Sequence, residues 1–371
     1  MEVFEIQDKI SCLDLKGQHK QVKSELFTAF EKVYDSHAFS GGTFVSDFES
    51  DFASFCDTKF TVGVNNGTSA LHLVMLALKI GNGDEVIIPA NTFIATAWGV
   101  SYTGATPVFV DCTADTWQID AGKIEAKITS NTKAIVGVHL YGQPFNVDAV
   151  STICKKHNLY LVEDAAQAQG AKFKGIPVGG FGEMASFSFY PGKNLGACGE
   201  AGCITTNSQV FYNHLLSLRN HGSVTRYYHD ELGYNMRMGG LEAASLNVKL
   251  KYLTGWNDRR REIAEMYQQY IANSKITMQA QPKEMESIYH LFVITTDDRD
   301  NLILYLNSKN IFPGLHYPVP CHLQKVYKNL DYHTGDCPNS EYLASHCLSL
   351  PMYAELTNQE VNYVIRALNQ Y

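Results

Sequence analysis

Between residues 60 and 206 the apolar positions follow two alternating rhythms. Short runs rich in β-branched and aromatic residues, at 60–64, 85–88, 106–111, 133–140, 159–162, 186–190 and 202–205, have the length and composition of strands. Between them, 68–80 places Leu71, Val74, Met75 and Leu78 at helical spacing, and 147–157 does the same. Strands alternating with helices imply βαβ units, so the pattern predicts an α/β protein with a mostly parallel seven-stranded sheet flanked by helices. Upstream, 20–34 and 43–55 read as helices; downstream, 241–252 and 259–272 do too. A mixed segment follows, with candidate elements at 289–295, 298–309, 314–317 and 360–369. The expected organisation is a large domain over 1–245 and a smaller C-terminal α/β domain over 246–371.

Composition narrows the class. Of the 371 residues, 45% are hydrophobic and 18% charged, enough for a large core. A net charge of -8 without a dense Lys/Arg run argues against a nucleic-acid partner. No apolar run approaches membrane-spanning length, and the opening residues 1–6 have neither a basic nor an apolar leader region. Nine cysteines lie scattered without CxxC pairs, which suits reduced thiols and neither zinc nor a disulfide framework. The expectation is a cytoplasmic enzyme.

The candidate chemistry gathers at strand ends. In 186–202, Pro191 and Gly192 terminate a strand and leave Lys193 at its C-terminal end, where open α/β sheets place their ligands. A lysine there packs poorly but can form a Schiff base. The strand at 159–162 runs into a second acid-bearing end, Asp164. An imine-forming amine and a carboxylate on neighbouring strand ends suggest pyridoxal 5'-phosphate (PLP), which needs the carboxylate beside its pyridine nitrogen. The turn at 65–70, with Gly67, Thr68 and Ser69, follows a strand and opens a helix, so it reads either as an ordinary cap or as a phosphate cradle. Lys193 in the same sheet favours the cradle. Gln167 could reach the cofactor's phenolic oxygen, and Phe93 could either stack on its ring or pack in the core. His316 and Tyr317 stand in a polar-aromatic loop better suited to a site than to a core.

Taken in order, 39–45, 89–96, 163–167, 233–238, 316–318 and 350–352 resemble the PLP-dependent nucleotide-sugar aminotransferases of the DegT/StrS type, a branch of fold type I, nearly end to end. The resemblance implies that Lys193 carries the Schiff base, Asp164 pairs with the pyridine nitrogen and Gln167 with the phenolic oxygen. It puts Phe93 in the stacking position and gives the phosphate to Gly67, Thr68, Ser69 and Ser188. Asn235 matches a residue that reaches the phosphate from the other subunit, implying a homodimer with shared active sites. The run 190–197 looks like enzymes that aminate C3 of dTDP-linked 3-keto-6-deoxyhexoses, with L-glutamate as donor and the galacto product favoured over the gluco one. Tyr190, His316 and Tyr317 would then contact the sugar. Rival readings are a C4-keto nucleotide-sugar aminotransferase and a non-catalytic regulatory protein on the same scaffold. A sugar dehydratase of this fold would carry histidine in place of Lys193.

Overall fold

The computed structural model describes residues 9–371; the opening stretch 1–6, read above for a leader, lies outside the described residues. Seven strands form the central sheet: β1 (Phe60–Val64), β2 (Glu85–Pro89), β3 (Thr106–Val110), β4 (Thr132–Val138), β5 (Tyr160–Asp164), β6 (Met184–Ser188) and β7 (Gly202–Thr206). Their spatial order is β3-β2-β4-β5-β6-β7-β1. All neighbours run parallel except β7, which is antiparallel to both β6 and β1. Both faces are covered by helices, so the strands are buried nearly throughout.

All seven expected strands are present, with ends shifted by up to two residues, most at β4, β5 and β6. β6 begins two residues early because Met184 and Ala185 pair with Val162 and Glu163 of β5. It therefore ends at Ser188, and Phe189 and Tyr190 belong to the turn beyond. β4 stops at Val138, because 140–142 folds into a short 3₁₀ turn.

The helices of eight residues or more are α1 (Lys16–Ser36), α2 (Thr43–Phe55), α3 (Gly67–Ala77), α4 (Ile94–Ser101), α5 (Val147–His157), α6 (Gln209–Leu218), α7 (Gly240–Tyr270), α8 (Arg299–Ser308), α9 (Pro338–His346) and α10 (Asn358–Gln370). The two helices expected at 241–252 and 259–272 are one, α7. Gly255 lies inside it at a cost of about 1 kcal/mol relative to alanine. Burial of Leu253, Trp256, Asn257 and Arg260 along the same stretch outweighs that cost. After α7 a three-stranded antiparallel sheet, β8 (Thr277–Met278), β9 (Phe292–Thr295) and β10 (Cys347–Leu350), builds a second core. Ile263, Tyr267, Ile294, Leu302, Leu350 and Val364 pack together there. No helix among the described residues is long and apolar enough to cross a membrane.

Successive residues of a strand face opposite sides of its sheet, and β5 uses this at its end. Glu163 points to one face, where it meets His139 at 3.0 Å with both side chains fully buried. Burial alone would raise the Glu163 carboxyl, but His139 and the backbone N–H groups of Gly182 and Gly179 hold it below the usual range. Asp164 points to the other face.

Candidate active site

That other face is one wall of a cavity of about 900 Å³ at the C-terminal ends of β5 and β6. Lys193, Asp164, Gln167, Phe93, Gly67, Thr68, Ser69, Ser188, Tyr190, His316 and Tyr317, all proposed from sequence, line this one space. Asn235 does not: it is exposed, bridged to Asn220, and the cavity meets its neighbour Met236 instead.

Lys193 is placed by a tight turn. Its N–H donates to the carbonyl of Tyr190 at 2.8 Å, and the N–H of Ala197 donates to Phe189 at 2.8 Å. Gly196 is required here, because a Cβ would lie 2.3 Å from the Pro191 carbonyl oxygen. The Lys193 amine has no hydrogen-bond or ion-pair partner among the described residues. Burial pulls its pKa down to about 8, and the Asp164 charge only partly opposes this. An amine in that range exchanges a proton near neutral pH, as acid–base work requires.

Asp164 is held by two donors, the Thr96 hydroxyl at 2.7 Å and the N–H of Ala166 at 3.1 Å. Because the Thr96 hydrogen goes to the carboxylate, Thr96 accepts from Thr92, 2.8 Å away. Burial lifts the Asp164 carboxyl above its ordinary range, against Thr96, Ala166 and Lys193. Its carboxylate has no salt-bridge partner among the described residues, so it is a buried acid short of a cation. A protonated pyridine nitrogen has the right charge and donor for it. Gln167 accepts from the N–H of Tyr141 at 2.7 Å and donates to the Tyr317 hydroxyl at 2.9 Å. The Tyr317 ring lies 5.3 Å from that of Phe93.

At the other end of the cavity, the Asn66 side chain caps α3 by accepting from the N–H of Ser69 at 2.8 Å. This leaves Gly67 and Thr68 as first-turn donors at a helix N-terminus. A Cβ on Gly67 would lie 2.7 Å from the Ser188 Cβ, so glycine is what lets the turn approach Ser188. The cradle and the unpaired acid both fit PLP. Gly67→Ala therefore pushes the turn and Ser188 apart, and cofactor affinity falls about tenfold to a hundredfold, the loss of one to two charge-assisted hydrogen bonds. A PLP titration of the purified variant checks this.

The depressed Lys193 pKa also sets a pH dependence. The folded state releases this proton more readily than the unfolded chain does, so between about pH 8 and the ordinary lysine value of 10.5 stability rises with pH. Below that window the ammonium is a standing penalty. Cofactor-free Lys193→Met is therefore the more heat-stable protein at pH 7, and its advantage shrinks as pH climbs through the window. Melting temperatures of both cofactor-free proteins across the range test this.

Sequence reading missed Thr92, Thr96, Tyr141 and His290. Thr92 and Thr96 were visible in 89–96, and their i, i+4 spacing would have paired them had α4 been expected. Tyr141 and His290 carry no local signal.

Parallel strands that reverse only at β7, with a lysine and an acid gathered where β6 and β5 end, are the arrangement of a fold type I aminotransferase. Residues 20–369 match the DegT/DnrJ/EryC1/StrS aminotransferase family, and the chain belongs to it. It is 44% identical to a dTDP-3-amino-3,6-dideoxy-alpha-D-galactopyranose transaminase of Aneurinibacillus thermoaerophilus, over 98% of this chain and 99% of that protein. It is 40% identical to a pleiotropic regulatory protein of Geobacillus stearothermophilus, over 98% of both. Among solved structures it is similar to Streptomyces venezuelae DesV in complex with a ketimine intermediate, with a TM-score of 0.96, 38% identity and 98% of each chain covered.

Proposed function

We propose that this enzyme transfers the amino group of L-glutamate to C3 of a dTDP-linked 3-keto-6-deoxyhexose, giving a dTDP-3-amino-3,6-dideoxyhexose, the galacto-configured product ahead of the gluco one. The observation that carries the reading is the cavity itself. It joins an amine with a pKa of about 8, a buried unpaired acid and a helix-end anion cradle, and leaves room for a second ligand beside Tyr190, His316 and Tyr317. The 44% identity to a transaminase named for a galacto sugar supports the choice of product.

In this proposal Gly67, Thr68, Ser69 and Ser188 hold the phosphate of PLP, Asp164 faces its pyridine nitrogen, Gln167 its phenolic oxygen and Phe93 its ring. Bound PLP supplies an electron sink for the carbon that loses a proton. Lys193 takes that proton with its neutral amine and returns it as an ammonium, so one side chain serves as base and acid in turn. Asp164 keeps its negative charge where a ring proton needs it. Burial pulls the His316 pKa down to about 4, with Lys193 adding to the effect, so at neutral pH the sugar side meets an uncharged imidazole. Its Nδ1 lies 2.8 Å from the Ser349 hydroxyl, which fixes the ring. Asn235, exposed in one protomer, reaches the phosphate of the partner's site in a homodimer. The division at 245/246, inside α7, separates the cofactor domain from the smaller one, and the enzyme acts in the cytoplasm.

The kinship with a regulatory protein favours one second reading, a scaffold without catalysis. Incubation with PLP, L-glutamate and either the 3-keto or the 4-keto dTDP-6-deoxyhexose separates all three readings. A C3-amino product, located by NMR, supports the proposal. A C4-amino product replaces the substrate, and no product from either sugar favours the regulatory scaffold.

A further inference from the structure

The cavity also carries a histidine for which the chemistry above has no task. His290 lines it together with Lys193 and His316, and the amides behind it fix its tautomer. The Asn257 side-chain nitrogen donates to the Gln169 carbonyl at 2.9 Å, so its oxygen is the atom that faces Asn194. The Asn194 nitrogen donates to that oxygen at 2.9 Å and to the Ile288 carbonyl at 3.1 Å. Carbonyls only accept, which settles the orientation of both amides. The Asn194 oxygen consequently stands 3.2 Å from Nδ1 of His290, and Nδ1 must bear the hydrogen.

The ring is also held from its backbone. The Arg260 guanidinium donates to the carbonyls of Tyr289 (3.1 Å), His290 (3.4 Å) and Met352 (2.9 Å). Burial, with the charges of Lys193 and Arg260 beside it, pushes the His290 imidazole well below the usual histidine range and keeps it neutral. A neutral ring with its hydrogen on Nδ1 presents a lone pair at Nε2. That nitrogen accepts no hydrogen bond among the described residues. Lys193 is the converse, a donor on the same cavity with no acceptor among them.

The geometry points to His290 as the positioning residue for Lys193: when the lysine amine moves up to the reacting carbon, Nε2 accepts a hydrogen bond from it and turns the amine's own lone pair toward the carbon to be deprotonated. This rests on the aminotransferase reading above. The proton taken from the carbon stays on Lys193, which becomes an ammonium and donates to Nε2; His290 itself neither gains nor loses a proton. Because Lys193 acts in both halves of the reaction, His290 serves both.

Two variants separate this from packing. His290→Asn keeps a donor for Asn194 but has nothing at the Nε2 position, whereas His290→Gln can present its amide oxygen there. The single-turnover rates of the glutamate and keto-sugar half-reactions both fall about tenfold to a hundredfold in His290→Asn, with each KM within about twofold of wild type, and His290→Gln recovers part of the rate. Unimpaired rates in His290→Asn overturn the proposal. So does a loss confined to the keto-sugar half, or to KM, which makes Nε2 a sugar contact. Nitrogen NMR of the [15N]histidine-labelled holoenzyme is an activity-independent check, with the His290 signals assigned by their loss in His290→Asn. It shows hydrogen on Nδ1 at neutral pH; hydrogen on Nε2 overturns the proposal. A wild-type enzyme that runs neither half-reaction sinks the proposed function instead, and the tautomer still decides the role of His290.

Discussion

Lys193→Ala forms no amino sugar above background, a loss of at least about 10⁴-fold, because in the proposed reaction a single amine serves as covalent anchor, base and acid. The variant still binds PLP, since the donors of Gly67 and Thr68, the Ser188 hydroxyl and the Asp164 carboxylate are all untouched. Product analysis together with equilibrium PLP binding reads both halves of this expectation. Normal turnover in Lys193→Ala would remove Lys193 from the chemistry. Loss of PLP binding together with turnover would mean that the covalent link, and not the cradle, holds the cofactor.

Asp164→Asn has the second-largest effect. The amide is nearly the same size: its oxygen still accepts from the N–H of Ala166, and its nitrogen donates to the Thr96 hydroxyl, which then turns its hydrogen to Thr92, so the fold is kept and the cavity walls do not move. What disappears is a negative charge that no other described residue supplies at that spot. Removing one preorganised electrostatic partner in a dry site costs about 10²- to 10³-fold, so the rate of the glutamate half-reaction falls by that order while PLP still binds at the phosphate end. Rapid-mixing absorbance measurements with L-glutamate check it. The loss belongs in the rate and not in KM, because Asp164 touches neither substrate. A rate within about threefold of wild type would show that Asp164 is only a partner for Thr96.

How much of this was legible in the sequence depended on how local each signal was. Lys193 and the Gly67 turn announced themselves through chain punctuation, a proline–glycine pair after a strand in one case and a strand-to-helix turn in the other. Asp164 followed because a strand end is also local. The seven strands were readable because their apolar runs are short and bounded by turn residues. α4 was missed because 94–101 is apolar on nearly every side and carries no helical stripe, and Thr96, the residue that holds Asp164, was missed with it. The continuity of α7 was hidden behind Gly255, whose local preference is overridden by tertiary packing of Trp256 and Arg260. The chain from His290 through Asn194 and Asn257 to Gln169 spans positions 121 residues apart (290 minus 169) and exists only once the sheet is assembled. Asn235 is a different matter, since one protomer alone leaves it exposed and outside the cavity.

The central claim is that one cavity runs both halves of an amino transfer through PLP and Lys193. It is tested most directly by the visible absorbance of the purified holoenzyme, recorded alone, after L-glutamate, and after the dTDP-linked 3-keto-6-deoxyhexose. The account predicts a cofactor band that glutamate bleaches and the keto sugar restores. A band that glutamate leaves unchanged, or no band even after PLP is added, would contradict it.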